Sequence, residues 1–345
     1  MPLRLYLPGL GRLCLLLAAS LIALAGCGGG SHDSSTPMGG GGTPTPSPFA
    51  ATQYAYQRQI LSADSPDAVG AARFDPSGNF YLLGLRQVQK FKKDGTRVSL
   101  SAGTATGGSG LAVSPNGDFY VVYGGNPDAQ IEKFKNDGAL LLKFGASGSG
   151  DGQFRSAFDL ALDSIGNVYV TDFFNNRIVK FSPDGVFLAK FGSVDGGFML
   201  GPLGGSGNGQ LSHPVSIAID GSDRLYVTDR GNSRVEVFKS DGSYLAQFGT
   251  VGTGDGQFGP GIQNGVTDLP GGPGGIALDG AGNVYVIDPI DHRVEKFKSD
   301  GTYLAQFGAD GGGFSPYAAQ GVGVDAAGSV YLALANRVDV YKPVQ

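Results

Sequence analysis

Few side chains in this 345-residue sequence are equipped for acid–base, nucleophilic or metal chemistry. Its two cysteines, Cys14 and Cys27, both fall within the first 27 residues, so the rest of the chain has no thiol for a disulfide, a cysteine-ligated metal or a nucleophile. Of three histidines, His32 lies in a Gly/Ser/Pro stretch, leaving His213 and His292 as bases or ligands. Asp159 joins them because the corresponding short strands elsewhere in the chain carry Gly110, Ser216, Gly275 and Gly321 at its place. Asp159 and His213 fall short of the ligand count of a tight catalytic zinc, so no metal and no cofactor is expected.

The elements that position these residues repeat. Tyr81, Tyr120, Tyr169, Tyr226, Tyr285 and Tyr331 each sit in a short strand, at spacings of 39, 49, 57, 59 and 46 residues. Around each tyrosine four strand-like runs alternate with turn residues. In the fifth unit these are residues 275–279, 283–288, 293–298 and 302–308, with turns at Gly280-Ala281-Gly282 and Ser299-Asp300-Gly301. Asp-Gly recurs at Asp94-Gly95, Asp137-Gly138, Asp184-Gly185, Asp241-Gly242 and Asp300-Gly301, because glycine supplies the positive φ of a hairpin without steric cost. A strand-rich period of 40 to 60 residues is that of a propeller blade, and 60 glycines with 21 Phe and 14 Tyr suit many short strands around a real core. Residues 51–345 are therefore expected to form an all-β, six-bladed propeller of four-stranded antiparallel blades. The sixth unit runs out of chain after its third strand, so an N-terminal strand at about residues 53–60 is expected to complete it and close the ring.

The motif GNVYVTDFFNNRIVKF (166–181), with DRLYVTDRGNSRVEVF (223–238) and GNVYVIDPIDHRVEKF (282–297), resembles the NHL-repeat family, whose similar members fold as six-bladed propellers. The resemblance covers all six units, unevenly. It implies cross-strand pairs Asp172–Arg177, Asp229–Arg234 and Asp288–Arg293, read as structural because they recur at equivalent positions. Units one, two and six carry Gly84, Tyr123 and Leu334 in place of the aspartate, and units one and two carry Gln87 and Gln130 in place of the arginine. Arg337 thus lacks its repeat partner and is expected to be exposed or otherwise paired. Amidating lyases that resemble NHL proteins ring a channel metal with histidines, and lactonase-like propellers use acidic and Asn ligands. Here, apart from Asp159, the inner strands read as small and apolar up to their last residue, so the channel is expected to lack such a ring.

Recognition is expected on the face bearing the long connections at residues 145–157, 192–214, 249–273 and 308–319, together with the loops between second and third strands. Asp159, His213, Ser216, Phe173, Phe174, Arg230 and His292 make up the candidate ligand face. Within those connections, Asp151-Gly152-Gln153-Phe154, Asn208-Gly209-Gln210-Leu211 and Asp255-Gly256-Gln257-Phe258 are expected to plug an apolar side chain between blades.

Residues 1–26 read as an export signal: Arg4 and Arg12 precede an uncharged apolar run at 13–25, too short for the ~20 residues of a spanning helix. Leu24-Ala25-Gly26-Cys27 resembles a bacterial lipobox, which implies lipidation of Cys27 and attachment to a lipid bilayer. Residues 27–50 are then a flexible tether. Gly28 in place of Asp implies outer-membrane sorting where the organism has such a membrane. The formal charge of −5 becomes −7 once Arg4 and Arg12 leave with the signal, so no nucleic acid is expected as partner. The expected function is a monomeric, non-enzymatic scaffold of the bacterial cell envelope that binds an envelope protein, peptide or glycan. The alternative is a metal-assisted lyase or lactonase-like enzyme using Asp159 and His213.

Overall fold

The computed structural model describes residues 54–60, 69–84, 87–100, 108–124, 129–193, 204–259, 271–308, 321–334 and 337–343. The signal, Cys27, His32 and the tether lie outside the described residues. Six four-stranded antiparallel sheets follow one another along the chain. Their innermost strands are Val69–Phe74, Gly110–Val113, Ala157–Leu162, Pro214–Ile219, Ile276–Leu278 and Gly321–Val324, for blades one to six. Among the described residues the helical content is two single 3-10 turns, Phe173–Asn175 and Arg230–Asn232.

The expected closure is present. Strand Tyr54–Ile60 pairs antiparallel with Arg337–Pro343, from Tyr54 opposite Pro343 to Ile60 opposite Val338, and becomes the outermost strand of blade six. Its first side chain also locks the neighbouring blade. Tyr54 stacks on Phe307 at 4.3 Å between ring centroids and shares a 2.9 Å hydrogen bond with the Tyr285 hydroxyl. The last strand of the domain is thus paired on both sides, and the first takes the outer edge that the fourth strand takes in the other blades.

Each blade's hydrophobic core lies against its neighbour. One cluster joins Val122 and Ile131 of blade two to Leu160, Val170 and Phe181 of blade three, and another joins Val235 and Val237 of blade four to Ile276, Val286 and Phe297 of blade five. The repeated tyrosine spans the seam. In blade three the Tyr169 hydroxyl donates to Asp163 at 3.1 Å and to the Ser240 carbonyl of blade four at 3.0 Å, while Lys180 sits 4.9 Å over its ring. Asp163 also caps its own turn, accepting from the Asn167 amide at 2.8 Å. The five Asp-Gly hairpins place their glycines at φ between 77° and 92°, as the turn chemistry demands.

Candidate functional site

The inner strands converge so closely that side chains are excluded from parts of the channel wall. A Cβ on Gly110 would lie 2.6 Å from the Asp159 Cα, and one on Gly321 would lie 2.8 Å from the Gly70 carbonyl oxygen. Register places Ala71, Gly110, Asp159, Ser216, Gly275 and Gly321 at one level of the ring, and Arg73, Ala112, Ala161, Ala218, Ala277 and Gly323 one layer further along. Each layer therefore holds one charged residue, and the two meet. Arg73 Nη2 donates to both Asp159 carboxylate oxygens at 3.0 and 2.9 Å, and Nη1 donates to the carbonyls of Ala72 and Val322 at 3.1 and 3.3 Å. Ser216 Oγ donates to Asp159 at 2.5 Å and accepts the Ile276 amide at 3.3 Å. One polar knot joins blades one, three, four, five and six across the axis. Beside it the channel leaves a cavity of about 260 Å³, lined by the inner strands of all six blades.

Arg73 corrects the expectation of a wall that is small and apolar apart from Asp159. It also consumes the carboxylate on which a metal reading depended. A cation would have to displace a guanidinium held to Asp159 by two hydrogen bonds, in a channel lined otherwise by backbone, aliphatic side chains and Phe74, with the Ser216 hydroxyl beside the carboxylate. A local irregularity aims Asp159 inward: the pairing of its strand shifts between Ala157 and Leu160, and the Asp159 amide donates to Thr171 Oγ1 at 2.9 Å. The same shift between Pro214 and Ile217 positions Ser216, whose amide donates to Thr228 Oγ1 at 2.9 Å.

On the loop-bearing face the three aspartates and arginines meet within the ends of their hairpins. Arg177 Nε reaches Asp172 at 3.0 Å, Arg234 Nε reaches Asp229 at 2.8 Å and Arg293 Nε reaches Asp288 at 3.4 Å. The remaining arginine donors turn to the loop that leads into the blade. Arg177 binds the carbonyls of Ser149, Gly150 and Gln153, and Arg234 binds those of Ser206, Gly207 and Gln210. Arg293 does the same with Thr253, Gly254 and Gln257. Each loop closes on itself through its glutamine, as where Gly150 N–H donates to Gln153 Oε1 at 2.9 Å, and Phe154, Leu211 and Phe258 drop fully buried between blades. Burial pushes the Asp172 and Asp229 carboxyls up from their ordinary range, against the pull of Asn175 and Asn232 and of the arginines. Arg337, without a repeat partner, pairs with Asp339 at 3.1 Å and stays 27% exposed.

Two buried carboxyls escaped the sequence reading. Glu236 and Glu295 follow Arg234 and Arg293 by two residues, are fully buried, and each leaves Oε2 without a protein partner. Burial drives Glu236 up to about 7 and Glu295 up to about 8, although the neighbouring arginine pulls the other way. Their alternation with apolar residues in RVEVF and RVEKF is the signal of a half-exposed strand; here blades cover both sides.

The histidines do not join Asp159. His213 packs on Phe173 at 4.7 Å, its Nδ1 lies 3.2 Å from Ser212 Oγ, and its backbone N–H donates to Asn176 Oδ1 at 2.8 Å. Burial, reinforced by the Arg230 charge, lowers the His213 pKa. His292 is exposed in the second-to-third-strand turn of blade five, at φ 58°, the turn position occupied by Asn176 and Ser233 in blades three and four. Among the described residues no three His, Cys, Asp or Glu side chains group as metal ligands. Phe173 is buried and Phe174 half exposed, the two in edge contact at 5.0 Å, with Phe158 against Phe173 at 4.8 Å. The structure thus carries an aromatic cluster at the seam of blades three and four and a polar knot at the axis.

The family model for the NHL repeat matches residues 211–238. A segment of 139 residues is 34% identical to rat peptidylglycine alpha-amidating monooxygenase, covering 38% of this chain and 14% of that protein. A segment of 135 residues is 28% identical to human NHL repeat-containing protein 3, covering 36% of each. The chain thus spans well under half the length of the curated relatives it matches. Among solved structures, virginiamycin B lyase from Staphylococcus aureus superposes with a TM-score of 0.56 at 12% identity, over 85% of this chain and all of that one. A gluconolactonase from Xanthomonas campestris superposes with a TM-score of 0.57 at 18% identity, over 86% and 96%. At those identities the likeness is one of fold.

Proposed function

This chain is an NHL-repeat β-propeller, and from that premise we propose that it serves as a non-enzymatic binding scaffold of the bacterial cell envelope, lipid-anchored through Cys27 and working through its loop-bearing face. The observation that carries the reading is the fate of Asp159. At the axis, where a propeller enzyme would gather reacting groups, its carboxylate is committed to Arg73, Ser216 and its neighbour's amide. Both carboxylate oxygens are occupied by donors, which leaves no open lone pair for a substrate proton or a metal. Around it the face is preorganised: arginines brace three lead-in loops, and the exposed aromatic Phe174 stands on that rigid frame.

The test has two independent readouts. Mass spectrometry of the mature N-terminus should find a diacylated Cys27, and Cys27→Ser should move the protein from the membrane to the soluble fraction; unchanged membrane retention would remove the anchor. Metal analysis of the purified protein should find no stoichiometric metal, whereas a bound metal lost in His213→Ala would replace the scaffold with the metal-assisted enzyme.

A further inference from the structure

The route by which the chain enters the domain distinguishes its two faces. Third strands run from the loop-bearing face, where Arg177, Arg234, Arg293 and Arg337 begin them, to the face that carries the Asp-Gly hairpins and the turns between first and second strands. Strand Tyr54–Ile60 runs against the last of them, with Tyr54 opposite Pro343, so the chain arrives on the turn-bearing face. The Tyr54 side chain agrees. Its hydroxyl bonds that of Tyr285, which in turn donates at 3.0 Å to Asp279, at the start of the blade-five turn on that face.

Two aliphatic side chains on the same face depart from their repeat positions. Ile165 is 75% exposed in the turn between first and second strands of blade three, where the other blades carry Ser77, Asn116, Ser222, Ala281 and Ala327. That turn is fastened: Ser164 donates to Asp223 of blade four from its N–H at 2.8 Å and from its Oγ at 2.6 Å. Val186, 61% exposed, follows the Asp-Gly of the same blade, where Thr96, Ala139, Ser243 and Thr302 stand in the others. So exposed, neither side chain serves the packing between blades. Along the hairpins of this face exposed lysine and aspartate alternate, as Lys135 with Asp137, Lys239 with Asp241 and Lys298 with Asp300. Those hairpins present both signs of charge, and lysine stems suit a boundary between apolar and aqueous phases.

We propose that the turn-bearing face rests on the bilayer that holds Cys27, with Ile165 and Val186 set among the lipid headgroups, which turns the loop-bearing face away from the membrane. The proposal rests on the reading of Cys27 as a lipid anchor. Residues 28–53 separate that anchor from Tyr54, and a Gly/Ser-rich chain of such a length has a root-mean-square reach of roughly 30 Å. A domain lying the other way up would spend most of that reach on its own height, since the strands hold the two faces roughly 20 Å apart. Entry on the turn side leaves the reach unspent, and moving two aliphatic side chains out of water favours the same orientation.

The body of the chain contains no thiol, so one introduced cysteine carries a fluorescent probe in the full-length, lipidated protein on vesicles of phosphatidylethanolamine and phosphatidylglycerol. Ala327→Cys, in the exposed blade-six turn, reports the turn-bearing face, and Val251→Cys, 59% exposed beyond the outer strand of blade four, reports the loop-bearing one. Energy transfer to an acceptor on the lipid headgroups should be about twofold or more stronger from position 327, given the distance between the faces. Ile165→Asp with Val186→Asp should shrink that difference by about half or more, while Cys27 keeps the protein on the vesicle and the melting temperature holds, because both side chains are exposed. Equal or reversed transfer from an acylated, vesicle-bound protein would overturn the proposal alone, whereas an unacylated Cys27 would take the anchor down with it. A difference untouched by the two aspartates would overturn the headgroup contact. Self-association of the Cys27→Ser protein in sedimentation, abolished by the same two aspartates, would give the face to a second copy of the chain instead.

Discussion

Blades three to five and blades one, two and six build the same sheet with different internal chemistry. The first group has an Asp–Arg pair at the end of the second and third strands; the second has Gly84, Tyr123 and Leu334 in place of the aspartate. Strand register is nonetheless regular in both, running from Phe80 opposite Phe91 in blade one and from Phe119 opposite Phe134 in blade two. Register in blades one and two therefore forms without the pair. Blades three to five also share, by sequence, the lead-in motif Asp/Asn-Gly-Gln-Phe/Leu at 151–154, 208–211 and 255–258, and in each the loop turns three carbonyls on the arginine. The pair tracks the loop, and the aspartate holds the arginine in place to serve it.

The sharpest way to break that comparison is to remove one brace and its counterpart. Arg234→Met strands Asp229 and three loop carbonyls in a buried setting and should cost about 3–5 kcal/mol in denaturant unfolding. Gln87→Met, at the equivalent place in blade one, should stay within about 0.5 kcal/mol. Equal losses in the two would mean that the arginine does not hold the loop.

Arg73 and Asp159 link the two classes of blade, since Arg73 comes from blade one and Asp159 from blade three. A double-mutant cycle of Arg73→Met and Asp159→Asn should return a coupling energy of about 2 kcal/mol; additivity of the two losses would show that the contact carries no mutual stabilisation.

The smallest effect sharpens the contrast within the third strands. Blade one places Gln89 where blades four and five place Glu236 and Glu295. Both folded carboxyls hold their protons more tightly than the ordinary value of 4.5. Their favourable neutral form is complete below that value in either state, and its contribution is lost as pH rises through about 7 for Glu236 and about 8 for Glu295. Glu236→Gln and Glu295→Gln should therefore match the parent at pH 4 and exceed it by about 1–2 kcal/mol each at pH 9. A gain of the same size at both pH values would assign it to the new amide hydrogen bond rather than to charge.

The blades were legible because their signals are local. Asp-Gly pairs, the tyrosine period and the missing last strand of unit six each follow from turn geometry or from counting, and the fold needed no more. The plugging of Phe154, Leu211 and Phe258 was legible for a related reason, since an apolar residue recurs directly after Asp/Asn-Gly-Gln in each of the three loops. Arg73 was not. A lone arginine near the end of VGAARF looks like an exposed strand terminus, and only a closed ring brings it to a carboxylate 86 residues away. The aromatic cluster was half legible. Phe173, Phe174 and His213 were picked out by their loops, but Phe158 joins them through the backbone irregularity beside Asp159, which no spacing rule announces.

The strand from Tyr54 to Ile60 has a mechanical meaning beyond edge satisfaction. Among the described residues the ring is fastened at two radii, at the rim by that strand and at the hub by the knot around Asp159. A hub and rim tied in this way make a frame whose blades are held in one arrangement, so a partner of the proposed scaffold should bind with little ordering entropy lost from the blades themselves.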